Sequence, residues 1–160
     1  MMIYNRKLAI EYALKYGENP NPDYKYFDIY GIDGGDCTNF ISQCLKYGGI
    51  PMVYNKPAPW YYSNSNWSIS WTLSHSLYWC LKIRQEKMLD GPRGIELNHY
   101  SELELGDLIF YKENGRNNHS AIITDFKDGY PLVSQHSVNA VNINYINEKK
   151  SDMLFMKIKS

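Results

Sequence analysis

The chain reads as an α+β protein, with N-terminal helices packed on a C-terminal antiparallel sheet. Three observations predict this. Apolar residues recur at helical spacing through the first half. The second half holds short runs rich in β-branched and aromatic residues, separated by turn formers. Helices that precede the strands, rather than alternating with them, form a segregated layer. At 160 residues the chain is long enough for one domain, 1–160, with its own core, and no repeat, low-complexity tract or linker divides it.

Ile3, Leu8, Ala9, Tyr12, Ala13 and Tyr16 mark an amphipathic helix from about Tyr4 to Tyr16. Gly17 and the prolines of NPNPDY end it. Cys37, Phe40, Ile41, Cys44 and Leu45 form one face of a second helix, closed by Gly48 and Gly49. KPAPWYYSNSNWSISW is turn-rich and aromatic without a period, and reads as an ordered loop. Trp71, Leu73, Leu77, Trp79, Cys80 and Leu81 predict a third helix to about Met88, ended by DGPRG. The strands expected are DLIFY, HSAIITDF, YPLVSQHSV and MLFMKI, with turns at KENGRNN and KDG.

Seventeen basic residues balance seventeen acidic ones, so no excess charge points to nucleic acid or an anionic membrane surface. No run approaches the length of a membrane span. The first twenty residues lack the apolar core and small-residue cleavage site of a signal peptide, which predicts a cytoplasmic protein unless another route releases it to the cell wall. Cys37, Cys44 and Cys80 cannot all pair and match no zinc spacing, so free thiols and no metal are expected. No phosphate loop or dinucleotide fingerprint calls for a cofactor.

The chemistry centres on GGDCTNFISQC. Asp36 is an N-cap candidate, which puts Cys37 in the first helical turn, where backbone N–H groups and the helix dipole favour a thiolate. Gly34 and Gly35 allow a tight entry and leave room for a substrate chain. The exposed N–H groups can hold an oxyanion. The Asp36 carboxylate opposes thiolate formation unless it is turned away. The alternative is that Cys37 is a core thiol, since free cysteine is among the most buried residues and Cys37 shares a stripe with Phe40 and Cys44. Cys44 and Cys80 read as core.

A nucleophile needs a base, and the chain offers His75, His99, His119 and His136. His75 lies inside a helix and His99 in an irregular stretch; both read as surface or packing residues. If Asp128-Gly129 form a two-residue turn, paired positions sum to about 257. His119 then lies opposite Val138, His136 lies opposite Ala121, and the two histidines are diagonal neighbours on one face. That gives a Cys–His–His arrangement of thiolate, proton shuttle and orienting imidazole. A bulge would move one histidine to the other face and leave Gln135 or Asn139 to orient His119.

The blocks YNRKLAIEYALKYGENPNPDY, GGDCTNFISQCLKYGGIPM, SISW and GDLIFY…HSAIITDF…YPLVSQHS, in this order and spacing, resemble the "putative amidase domain" family of Firmicutes. That family is similar to papain-like cysteine hydrolases of the NlpC and CHAP types, and GDCTNF resembles their Asp-Cys-Ser-Gly-Phe block with Thr38 and Asn39 in place of Ser-Gly. The resemblance implies a papain-like fold, Cys37 as nucleophile, His119 as general base and acid, and His136 as the third, orienting member. It also implies a peptide or amide substrate, with peptidoglycan peptides common among such relatives. Trp60, Tyr61, Tyr62, Trp67 and Trp71 can wall a groove for it or fill the core of a loop-rich region. A cytoplasmic cysteine peptidase or deamidase and an inactive peptide-binding module remain as competing readings.

Overall fold

The computed structural model describes residues 3–28, 35–146 and 152–160. Helix α1 spans Arg6–Tyr16, α2 Cys37–Tyr47, α3 Ile69–Thr72 and α4 Ser74–Glu86. Strands follow: β1 Arg93–Leu97, β2 Leu108–Glu113, β3 Arg116–Lys127, β4 Tyr130–Gln135, β5 Ala140–Asn144 and β6 Asp152–Lys159, with a 3-10 turn at Tyr100–Glu102. They form one antiparallel sheet in the order β1-β6-β2-β3-β4-β5. The α+β expectation and the four expected strands hold.

Helix α1 begins where the Asn5 side chain accepts the Leu8 N–H at 3.1 Å and ends at Gly17. A Cβ on Gly17 would stand 2.5 Å from Val141 Cγ2, so only glycine lets the helix end press this closely on β5. Helix α2 is buried continuously from Cys37 to Leu45. It closes through Gly48 N–H to the Cys44 carbonyl and Gly49 N–H to the Lys46 carbonyl, with Gly49 at φ 92°.

Three features depart from expectation. The predicted third helix is broken at Leu73, whose extended backbone (φ −113°, ψ 127°) separates α3 from α4. The break sends Trp71 into the core and starts α4 afresh at Ser74. RGIEL and AVNIN are edge strands, too short and polar to stand out from their flanks.

Trp60, expected as a groove wall, is fully buried. Its ring lies 4.8 Å from that of Trp71, and its N–H donates to Ser42 Oγ at 3.1 Å. Tyr62 is also buried, stacked 5.5 Å from Trp71, with its hydroxyl accepting the Lys25 N–H. Tyr61 is half-buried and stacks on exposed Tyr54. The correction has a simple cause: alternate side chains of WYY point to opposite sides of an extended segment. Trp60→Ala is expected to cost about 3–5 kcal/mol, readable as a lowered urea midpoint.

The sheet has two apolar faces. Leu108, Phe110, Ile122, Met156 and Ile158 pack against the helices with Phe40, Ile41, Leu77 and Leu81. Ile109, Tyr111, Ala121, Ile123 and Val133 pack on the other side with Leu103 and Tyr145.

Candidate active site

The hairpin of β3 and β4 sets the site. Asp128 and Gly129 take φ 53° and 81°, the two-residue turn expected, and Lys127 pairs with Tyr130. Asp125 still pairs with Leu132, but Ile123 pairs with Val133, because Thr124 is bulged out of register. Its hydroxyl bonds Ser134 Oγ and Asn142 Oδ1, each at 2.7 Å, which secures the bulge. Beyond it paired positions sum to 256 (Ile122 with Ser134). Gln135, rather than His136, therefore becomes the diagonal neighbour of His119.

The side chains follow that register. His119 Nε2 meets Gln135 Oε1 at 2.8 Å, while Gln135 Nε2 donates to the Val138 carbonyl at 3.1 Å. The second bond fixes the amide orientation, so Gln135 presents an acceptor and His119 Nε2 must carry the proton. Nδ1 is then the ring nitrogen left with a lone pair. The diagonal pairing expected for His119 and His136 does not occur. His136 directs Nδ1 to the Asp36 carboxylate and Nε2 to the Tyr16 carbonyl at 2.7 Å, and stacks on Phe40 at 4.0 Å. Asn139 accepts from the Tyr26 hydroxyl at 3.3 Å.

Cys37 opens α2 and Asp36 takes the N-cap position, both as expected, but the Asp36 side chain accepts no capping hydrogen bond from the helix backbone. The Cys37 N–H donates to Ser137 Oγ at 3.1 Å, from a residue held at φ 73° beyond β4. Asp36 instead accepts from Phe27 N–H (2.9 Å) and Asn39 Nδ2 (2.7 Å) through Oδ1, and meets His136 through Oδ2. Its charge is thereby committed away from the thiol, which removes the objection it raised.

Cys37 is 4 % exposed. Burial is the strongest influence on its thiol and pushes the pKa up. A hydrogen bond from His119, the charge of that ring and hydrogen bonds from Ser74 and Thr38 together outweigh it, bringing the pKa down to about 6. Sγ lies 3.6 Å from Ser74 Oγ and 3.7 Å from Thr38 Oγ1. Burial dominates at the other two cysteines: Cys44 is raised well above the usual thiol range and Cys80 to about 11.

A cleft of about 120 Å³ reaches the thiol, lined by Gly35, Cys37, Thr72, Ser74, His75 and Asn117 among others. Gly34, expected beside Gly35, lies outside the described residues. Asn117 is buried with both side-chain amide atoms unpaired. His75, read from sequence as surface or packing, stands at this cleft; burial and then the charges of Arg116 and Lys112 lower its pKa. His99 caps the 3-10 turn through Ser101 N–H. The sequence reading missed Thr38, Ser74, Ser120, His75 and Asn117. Two of them had a signal: Thr38 stands at the position of serine in the resembling block, and His75 was one of the four candidate bases.

The described residues thus form an α+β frame in which a thiol opens α2 and a strand-borne histidine is held by a glutamine. Residues 3–157 match the model of the family described as "Putative amidase domain", and the chain belongs to that family. YhbB of Bacillus subtilis (strain 168), described as an uncharacterized protein, is 37% identical over 142 residues, which is 86% of this chain and 42% of YhbB. YjcM of the same organism, described likewise, is 30% identical over 159 residues, 92% of this chain and 34% of YjcM. The chain thus spans less than half the length of these relatives. No solved structure matches it. Among the described residues no helix is long and apolar enough to cross a membrane, and no group of three or more His, Cys, Asp or Glu stands placed to hold a metal ion.

Proposed function

We propose that this protein is a cysteine-dependent amide hydrolase of papain-like type, with Cys37 as nucleophile, His119 as general base and acid, and Gln135 as the group that orients His119. The observation that carries the reading is geometric: Cys37 opens α2 at a cleft, and His119, held through Nε2 by Gln135 Oε1 at 2.8 Å, acts on its thiol. The lowered pKa of Cys37, against the raised ones of the other two cysteines, agrees with it. His119 Nδ1 takes the thiol proton, giving a thiolate and imidazolium held by Gln135 Oε1. The thiolate attacks the amide carbonyl. The developing oxyanion takes the place of Ser137 Oγ on the Cys37 N–H at the helix start. His119 then protonates the leaving amine, a thioester remains on Cys37, and water attacks it with His119 acting as base.

Asp36 and His136, in this account, hold the entry to α2 in place. This transfers the orienting role from His136 to Gln135 and keeps Cys37 and His119 as the resemblance assigned them.

The substrate we assign is a peptide amide, and its favoured source is the cell wall. A groove of about 530 Å³, walled by Tyr61, Trp67 and Trp79, meets the Cys37 cleft at His75. Its lining is aromatic and aliphatic apart from His75 and small hydroxyls, with Lys25 Nζ 4.8 Å from the centre of the Trp67 ring, so it suits a bulky group with an apolar face, such as a sugar carried by a wall peptide.

The test is to incubate the protein with a pool of wall-derived and ordinary peptides and read intact mass. A hydroxylamine-labile acyl adduct on Cys37 supports the reading; its absence in every pool, with Cys37 unreactive, refutes it. His119→Ala is expected to slow turnover far more than Gln135→Ala, because the second only frees the ring to choose the wrong tautomer. Equal losses in kcat would contradict these roles.

A further inference from the structure

Beneath Cys37 three hydroxyls from three elements meet, and only that of Ser74 borders the cleft. Thr38 Oγ1 of α2 lies 2.7 Å from Ser74 Oγ of α4 and 3.1 Å from Ser120 Oγ of β3, and Ser74 and Ser120 are 3.3 Å apart. All three residues are buried, and two of the oxygens also contact Cys37 Sγ. Each hydroxyl has one proton and can rotate.

Opposite a neutral thiol the three can satisfy one another in a ring, each donating once and accepting once. Opposite a thiolate, Thr38 and Ser74 can turn both protons to sulfur while Ser120 donates to one of their oxygens. Neither state leaves a buried hydroxyl proton unpaired. The cluster can therefore follow the charge on sulfur without moving a heavy atom.

We infer that Thr38 and Ser74 are catalytic donors to the Cys37 thiolate and that Ser120 is the positioning residue that completes their network, so that the thiolate is held by neutral hydroxyls as well as by His119. The inference rests on Cys37 being the nucleophile. It adds a role in the second half of the reaction: the sulfur leaving the thioester departs as a thiolate, and the same two donors meet it while His119 is occupied with water. The charged and titratable groups around this sulfur are His119 on β3, His75 on α4, Arg116 at the start of β3 and Asp36 beside it. Asp36 is committed to Phe27, Asn39 and His136.

The experiment is the pH dependence of Cys37 alkylation by iodoacetamide in the full chain, for wild type and for Thr38→Val, Ser74→Ala and Ser120→Ala. Thr38→Val keeps the shape of the side chain and removes the donor. Thr38→Val and Ser74→Ala are each expected to raise the midpoint by about one pH unit, a tenfold change in the thiolate equilibrium, because hydrogen bonds to a charged group are the strong ones. Ser120→Ala should raise it less, and Thr38→Ser should restore it. In a His119→Ala background the midpoint should rise well above that of the wild type, since only the hydroxyls then oppose burial, and it should rise further on adding Ser74→Ala. A wild-type midpoint near 6 that none of the hydroxyl variants moves would overturn the inference and leave the nucleophile assignment standing. A wild-type Cys37 that does not alkylate would overturn the nucleophile assignment itself. Circular dichroism on each variant separates loss of fold from loss of donor.

Discussion

Cys37→Ala is expected to abolish amide hydrolysis while leaving the protein folded. The thiol is small, and the backbone cap on it, Cys37 N–H to Ser137 Oγ, survives the substitution. What is lost is a single sulfur that the cleft reaches and that His119, Ser74 and Thr38 hold toward the anion. Removing a covalent nucleophile costs orders of magnitude in kcat, since the remaining groups act only through it. Cys37→Ser keeps the size but returns the group to the ordinary alcohol range, so it should be nearly as inactive. The check is turnover of the peptide found by acyl trapping, beside the thermal melting curve. An unfolded Cys37→Ala chain, or one with turnover intact, would contradict the account.

A stability effect as large as that of Trp60→Ala lies at His136, the partner of Asp36, which precedes Cys37. His136→Ala is expected to cost about 3–5 kcal/mol, the cost of breaking a buried pair from one side. Both side chains are 1–2% exposed, and both ring nitrogens of His136 face oxygen atoms, on Asp36 and on the Tyr16 backbone. Deleting the ring leaves the Asp36 carboxylate without that partner, strips the Tyr16 carbonyl and removes the stack on Phe40. Because Gly17 presses the end of α1 onto β5, neither α1 nor β4 can move freely to close the gap. For a chain of this size the loss corresponds to a fall in Tm of roughly 6–20 °C. Asp36→Ala should cost a similar amount, also free the Phe27 N–H and remove one of the two acceptors of Asn39 Nδ2. Urea unfolding measures both. A change below about 1 kcal/mol for either would mean that the pair does not hold the entry to α2. Where His136→Ala stays folded, its turnover should exceed that of His119→Ala, because His136 does not touch the proton carrier.

Much of this was legible in the sequence, and the reasons differ by element. The start of α2 was readable because a glycine pair, an acidic residue and an apolar 3.6-residue stripe all agree there. The β3–β4 turn was readable because Asp-Gly is a strong local signal. The bulge at Thr124 was not: nothing in HSAIITDF marks which residue leaves the ladder, and its partners are the Ser134 hydroxyl of β4 and the Asn142 amide oxygen of β5. One bulge decides whether Gln135 or His136 reaches His119, so the pairing was predictable only as a condition. The alternation of WYY was local, yet which side faces the core depends on Trp71, eleven residues beyond Trp60 and displaced by the break at Leu73. Ser74 and Ser120 join Thr38 from 36 and 82 residues away, and small hydroxyls carry no periodic signal.

The most direct test is the rate of iodoacetamide alkylation against pH, with mass spectrometry locating the label. The account predicts that Cys37 alone is labelled in the folded protein, with the rate falling as pH drops through about 6, where the thiolate takes up its proton. Cys44 and Cys80, raised by burial, should stay silent until unfolding. A Cys37 that is inert until the chain unfolds, or that titrates near the free-thiol value of about 8.5, would contradict it and return that residue to the core.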